Sequence, residues 1–356
     1  MADAPGREIV EHYDTDRVSV AVLASHTALQ ILHGAKLEGL QTVLVATHSR
    51  LQFYAEFSHL VDHVILVDEW REICRDRTAE TLRTLNAILV PHGSLVEYVG
   101  PRCAEEIRVP IFGLRSLIRV EASQEEKMGL LERAGIPTPR VYRLDEDATG
   151  LFIVKLPGAK GGRGYFLAKS IREARERLRE LASRGVIRSP SEAIIQEYVV
   201  GVPAYYHYFY SPLLDRVEIM GADIRYESNV DGLRRLPPGY AQDVEPSFVV
   251  VGNIPLAMRE SLLPRIYDYG KRLVEQTARE LPPGIIGPYS LESIVTPSLE
   301  IKVFEFSGRI VAGTNLYIAG SSYTQLYWNE PMSTGRRIAR EIKMAAARSR
   351  LSTVVT

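Results

Sequence analysis

Short runs of consecutive apolar, β-branched residues alternate with helical stripes over the first third of the chain. Residues 18–24 read as a buried strand. That strand runs into Ser25-His26-Thr27, after which Ala28, Ile31, Leu32 and Ala35 recur at helical spacing until Gly39 supplies a stop. Residues 42–46, 63–67 and 87–90 are three further strands, with a helical pattern around 78–85. Strands alternating with helices predict a parallel α/β sheet over roughly the first 115 residues.

The pattern then changes. Ser123, with Glu126 three residues on, caps a helix over 123–134, and Gly135-Ile136-Pro137-Thr138-Pro139 ends it at a domain boundary. A strand at 151–156 enters a glycine-rich segment. A helix over 170–183 follows, capped by Ser170 and Glu173, with Ile171, Ala174, Leu178 and Leu181 as its apolar face and Gly185 as its stop. Arg172, Arg175, Arg177 and Arg179 read as its solvated face. Strands are expected at 193–199, 204–210, 217–222, 247–251, 290–295 and 300–306, and helices at 261–281 and 336–348.

Composition narrows the function classes. The chain has 356 residues, 46% hydrophobic and 24% charged, which is enough apolar mass for a packed core. Its 43 basic and 44 acidic residues exclude a broadly basic nucleic-acid binder. No apolar run approaches the roughly 18 residues of a membrane helix. Residues 1–10 carry Asp3, Arg7 and Glu8 with no apolar core, unlike a secretory signal. Cys74 and Cys103 are too few for a disulfide scaffold or a four-ligand zinc site, so a reduced, cytoplasmic protein is expected.

Three segments carry candidate chemistry. In Val154-Lys155-Leu156-Pro157-Gly158-Ala159-Lys160-Gly161-Gly162-Arg163-Gly164 a strand delivers a lysine into four glycines and two further cations. Glycines let backbone N–H groups approach phosphate oxygens, and the cations add charge. No Gly-Lys-Ser/Thr opens a helix, so this is not a Walker A loop, and a flexible hairpin is the competing reading. Glu292 and Glu305 are 13 residues apart with Pro297-Ser298 between them, so a hairpin would place their carboxylates side by side as Mg²⁺ ligands; two exposed strand glutamates are the alternative. Arg309 follows directly and suits an acyl-phosphate oxygen or a structural ion pair. Gln196-Glu197-Tyr198-Val199-Val200-Gly201 is a strand ending in an apolar hinge, able to pair its backbone with an adenine edge.

Taken in order, these segments resemble the ATP-grasp fold. The likeness to formate-dependent 5-formaminoimidazole-4-carboxamide ribonucleotide (FAICAR) synthetases extends over nearly the whole chain. It is carried by Ala24-Ser25-His26-Thr27, His33-Gly34-Ala35-Lys36-Leu37-Glu38-Gly39, Val90-Pro91-His92-Gly93-Ser94, Arg225-Tyr226-Glu227-Ser228-Asn229-Val230-Asp231-Gly232, Gly252-Asn253-Ile254-Pro255 and Arg337-Ile338-Ala339-Arg340-Glu341-Ile342-Lys343. The resemblance implies an N-terminal α/β domain (1–120), then two α+β ATP-grasp subdomains at 121–200 and 201–356, the second holding the metal site and the C-terminal helix. It implies an archaeal purine-biosynthetic ligase that formylates the aminoimidazole carboxamide ribonucleotide (AICAR) with ATP and formate. Ser25, His26, Thr27, Ser94 and Asn253 would bind AICAR. Lys127, Lys155, Gly158, Gly161, Gly162, Gly164, Glu197, Val199 and Glu227 would bind ATP, and Glu292 and Glu305 would hold Mg²⁺ or Mn²⁺. Lys155 and Arg309 would act in catalysis, in a homohexamer binding neither nucleic acid nor membrane. Ser25-His26-Thr27 and His92-Gly93-Ser94 each follow a parallel strand at its carboxyl end, where α/β sheets bind ligands. A packed or capping imidazole at 26 and a turn role for Asn253 are the bland alternatives. Two departures stand out: Ser307 replaces the asparagine common after the second acidic ligand, and Val202-Pro203-Ala204 follows the hinge glycine where a ribose-binding glutamate is common, a role Glu227 could assume.

Overall fold

A computed structural model describes residues 4–160, 163–241 and 244–356. The first layer comprises α1 (Ala4–Val10), β1 (Ser19–Leu23), α2 (Ala28–Leu37), β2 (Gln41–Thr47), α3 (His48–Ala55), β3 (His63–Val67), α4 (Asp76–Thr84) and β4 (Ala87–Leu89). The four strands pair in parallel in the order β3-β2-β1-β4. Alternate residues of β1 serve two cores. Val20 and Val22 pack on the side of Ile31, and Ala21 and Leu23 on the side of Leu82. Burial on both faces explains the uninterrupted apolar runs.

Three short helices follow: α5 (Pro101–Glu106), α6 (Leu117–Ala122) and α7 (Gln124–Arg133), the last capped by the Ser123 hydroxyl, which accepts from the Glu126 N–H. Next comes a four-stranded antiparallel sheet of β5 (Val141–Tyr142), β6 (Thr149–Lys160), β7 (Arg163–Ser170) and β8 (Ile194–Glu197), ordered β5-β8-β6-β7. Between β7 and β8, α8 (Ile171–Ser183) lays Ile171, Ala174 and Leu178 on Phe152, Val154, Phe166 and Ile195. Its arginine face is largely solvated as expected, with Arg172, Arg177 and Arg179 exposed and Arg175 half-buried. Arg175 donates to the carbonyls of Leu144 and Glu146, and Arg177 stacks over Phe166 and pairs with Glu245.

The remaining elements are β9 (Val202–Ser211), β10 (Arg216–Asn229), α9 (Val230–Leu233), α10 (Pro238–Ala241), β11 (Phe248–Pro255), α11 (Leu263–Glu280), β12 (Gly287–Val295), β13 (Ile301–Ser307), α12 (Ser322–Trp328) and α13 (Thr334–Ala347). Five strands form an antiparallel sheet ordered β11-β10-β9-β12-β13, backed by α11 and α7.

The final helix does not pack where its place in the sequence suggests. Ile338, Ala339 and Ile342 of α13 join the core of the first layer, with Val20, Ile31 and Leu44. Two glycines permit the crossing with α2: a Cβ on Gly34 would sit 2.2 Å from the Arg336 nitrogen, and one on Gly335 would sit 2.3 Å from the Gln30 carbonyl oxygen. On its other side the fully buried Arg337 pairs with Glu218 and Glu341 and stacks over Phe209. Thus α13 fastens the first layer to the five-stranded sheet rather than belonging to 201–356 alone.

The expectation of reduced thiols is not met. Cys74, in the 3₁₀ turn Trp70–Cys74, is disulfide-bonded to Cys103 of α5, their Cα atoms 6.0 Å apart. Sequence spacing could not show that these two surface segments fold together. Among the described residues no helix is long and apolar enough to cross a membrane.

Candidate functional site

Alternation along the five-stranded sheet separates chemistry from core. Tyr206, Tyr208, Tyr289, Leu291 and Phe306 face α11 and are buried there. The intervening positions fall in register on the opposite face. Asp223 pairs with Tyr205, Tyr205 with Glu292, and Glu292 with Glu305. Arg225 and Glu227 continue the row along β10, and Asn253 of β11 lies directly opposite Arg225.

The hairpin expected from the glutamate spacing is therefore present, with the two carboxylates on adjacent strands. Cations surround them. Arg225 donates to Glu292 at 2.5 Å and lies over the Tyr205 ring, and Lys127 of α7 bonds to Glu305. The Lys155 ammonium sits 5.7 Å from the Phe304 ring centre. Burial pushes the Glu292 carboxyl above its usual range despite Arg225. Burial also presses upward on Glu305, but Lys127, Lys155 and Arg225 hold it below that range. Burial lowers Lys155, opposed by Glu305 and Glu292. Two carboxylates therefore lie among three cations on this face. Among the described residues no three His, Cys, Asp or Glu side chains converge.

Glu227 lies farther along the same face. Burial, with Asp231 and Glu292 adding to it against Arg225, pushes its carboxyl up to about 7. Such a group can donate to or accept from a hydroxyl near neutrality. In the glycine-rich segment, Lys155 pairs with Tyr165 across the β6–β7 hairpin, Gly158 lies in β6, and Gly164 adopts a φ of +79°. Gly161 and Gly162 lie outside the described residues. Both Glu197 carboxylate oxygens are taken by Lys302 at 2.9 Å. Val199, two residues on, is half-buried. Gly201 is required after it, because a Cβ there would meet the Val295 carbonyl oxygen at 2.3 Å.

A second cluster forms at the carboxyl ends of β1 and β4. His92 is fully buried; its Nε2 donates to the Leu23 carbonyl at 3.0 Å and its Nδ1 accepts from the Ser94 N–H at 3.3 Å. Both nitrogens are thus committed in the neutral ring, and burial, then His26, drop its pKa to about 3. The His26 ring stacks 6.0 Å from it at a left-handed φ of +47°. Burial and the nearby Arg309 lower the His26 pKa, against Glu97. Gly93 leaves room for that ring, since its Cβ would sit 2.9 Å from His26 Nε2. Ser25 and Thr27 are buried beside the N-terminus of α2. The buried hydroxyls of Thr27 and Ser94 have no hydrogen-bond partner in the protein.

The two clusters meet through residues after β13. Ile310 pairs with His92, which sets Arg309 between the hairpin and the histidines. Arg309 pairs with Glu121 at 2.6 Å, so the ion-pair alternative is realised, while its Nε remains without a partner. Gln30 of α2 donates to Thr314 and Asn315 and fixes the next turn, Ala312–Tyr317. Sequence reasoning gave no individual role to Arg225, Tyr205, His207 or Asp223, and read His92 only as part of a strand-end segment. The Asp223-x-Arg225-x-Glu227 alternation was the signal available for three residues of this face.

The DUF1297 family, described as a domain of unknown function, matches residues 173–356, and DUF1246, a protein of unknown function, matches 20–142. Curated relatives are more informative. The chain is 56% identical to the 5-formaminoimidazole-4-carboxamide-1-(beta)-D-ribofuranosyl 5'-monophosphate synthetase of Ignicoccus hospitalis, over 98% of this chain and 99% of that protein. It is 52% identical to the same-named protein of Metallosphaera sedula, over 94% and 98%. Among solved structures, the IMP biosynthesis protein PurP of Thermococcus kodakaraensis superposes with a TM-score of 0.76 at 35% identity, covering 95% of this chain and 100% of that one. An ADP complex of an N5-carboxyaminoimidazole ribonucleotide synthetase shares the fold, with a TM-score of 0.63 at 14% identity over 92% and 77%.

Proposed function

The chain belongs to the FAICAR synthetase family of ATP-grasp ligases, and from that membership we propose that it formylates the amino group of AICAR with formate and ATP. The observation that carries the chemistry is the register-paired Glu292 and Glu305, ringed by Lys127, Lys155 and Arg225. Formate attacks the γ-phosphorus of ATP, ADP departs, and formyl phosphate forms. The AICAR amine then attacks the formyl carbon, phosphate leaves with the bonding electrons, and the nitrogen loses a proton. The amine is conjugated with the imidazole ring and is a poor nucleophile, which is why formate must be activated.

The family resemblance supplies the proposed roles, and the positions described above support them. Glu292 and Glu305 are the residues that would hold Mg²⁺ or Mn²⁺, which neutralises phosphate oxygens when bound. Lys127, Lys155 and the segment containing Gly158, Gly161, Gly162 and Gly164 spread the charge that develops on the transferring group. The hinge at Glu197 and Val199 and the carboxyl of Glu227 hold the adenosine. Ser25, His26, Thr27, Ser94 and Asn253 hold AICAR, and Arg309 lies between the pockets to steady the acyl phosphate. The same reading makes the protein a cytoplasmic homohexamer, to be checked by light scattering.

The test is ADP release with ATP, Mg²⁺ and AICAR, with and without formate, alongside mass detection of product. Formate-dependent ADP matched by FAICAR is expected. Product without formate would assign the site to another carboxylate–amine ligase, and binding without ADP release to a non-catalytic relative.

A further inference from the structure

A buried polar chain lies on the same face of the sheet, and none of its first three members has a role in the proposed chemistry. His207 of β9 contacts Ser290 Oγ at 3.2 Å through Nδ1 and Asp223 Oδ1 at 2.6 Å through Nε2. The other Asp223 oxygen accepts from the Asn253 side-chain amide at 2.6 Å. His207, Asp223 and Ser290 are each no more than 2% exposed, whereas Asn253 is half-buried. The pair is sealed by the Ala312–Tyr317 turn, where a Cβ on Gly313 would lie 2.2 Å from Asp223 Oδ1 and 2.9 Å from His207 Nε2. A carboxylate and an imidazole taken this far out of water are costly, and apolar residues would serve packing better.

We infer that His207 and Asp223 are positioning residues that lock Asn253 in one amide orientation. The buried carboxylate offers only acceptors, so Asn253 must turn its NH₂ inward. Its carbonyl oxygen then faces the nucleotide pocket as a fixed acceptor. Position 253 therefore selects a nucleotide that presents an N–H donor and rejects one carrying an oxygen acceptor or nothing there. This inference rests on the AICAR reading above. Two groups of that nucleotide could supply the donor, the ring amine and the carboxamide NH₂.

The test is calorimetric binding of three ribonucleotides: AICAR, its analogue lacking the ring amine, and its analogue with a carboxylate in place of the carboxamide. Wild type is expected to prefer AICAR by about tenfold or more over one analogue, which identifies the donor. Asp223→Asn frees Asn253 to flip and should abolish that preference, as should Asn253→Ala. Steady-state KM for AICAR should rise in both while KM for ATP stays within twofold. If Asp223→Asn does not fold, Asp223→Ser, whose hydroxyl can donate as well as accept, must give the same loss of preference. A preference retained in the folded dyad variant overturns the inference and leaves the function intact. No binding of AICAR to the wild type removes both.

Discussion

The parallel and antiparallel sheets carry their halves of the site in different ways. β1, β2 and β4 are covered on both faces, so side chains along their length belong to a core. Chemistry is possible only where the strands stop, at Ser25-His26-Thr27 and His92-Gly93-Ser94. The five-stranded sheet packs one face and opens the other, so Glu292, Glu305 and Arg225 stand in mid-strand, fixed by register. An end-of-strand pocket depends on turns and on glycines that admit a ring. A face-of-sheet site depends on alternation and on charges brought from other elements, such as Lys127 from α7.

The sharpest way to break this contrast is to disable one half alone. Glu305→Gln should lower formate-dependent ADP release on the order of 10³-fold while leaving AICAR affinity within twofold. Parallel loss of AICAR binding, measured by calorimetry, would show that the halves are not separate. A smaller effect should appear as acid sensitivity of the strand-end pocket. His92 titrates near 3 when folded and near 6.5 when unfolded, so the unfolded chain binds the extra proton between those values. Stability should therefore fall as pH drops through that window, by about 1.4 kcal/mol per unit from this residue. His92→Gln should flatten the slope of unfolding free energy between pH 6.5 and 5 by about one proton; an unchanged slope would deny His92 that part. The smallest effect is expected from Ser94→Ala. Its hydroxyl has no protein partner, so unfolding free energy should stay within about 0.5 kcal/mol while KM for AICAR rises about fivefold. A loss of stability without a change in KM would return Ser94 to a structural role.

The same contrast governed what could be read from the sequence. Doubly buried strands are contiguous apolar runs, and all four of the first layer emerge within a residue or two of their expected positions. The glutamate hairpin was legible because thirteen residues and a turn fix its geometry. β10 was read as ending at 222, yet it continues to Asn229, because Asp223, Arg225 and Glu227 break the apolar run. Those residues lie on the sheet face opposite the α11 core, so the candidate functional segment is also where the apolar periodicity fails. His207 and Asp223 were hidden for another reason: they and their partners lie on four different strands, and no local spacing encodes them. The short helices α3, α5 and α6 carry too few turns for a stripe to register.

The glycine crossing of α2 and α13 also bears on how the protein is made. The first sheet leaves the ribosome early, with its strands and α2 complete, but one flank of α2 waits for Ile338 and Ile342. At typical elongation rates of about 5–20 residues per second, the roughly 300 residues between them take about 15–60 s to synthesise. During that interval the nascent domain exposes the apolar flank that carries Ile31 and Ala35. A chain cut short before α13 would lose a clasp rather than a tail, and should be handled by the cell as an unfinished protein.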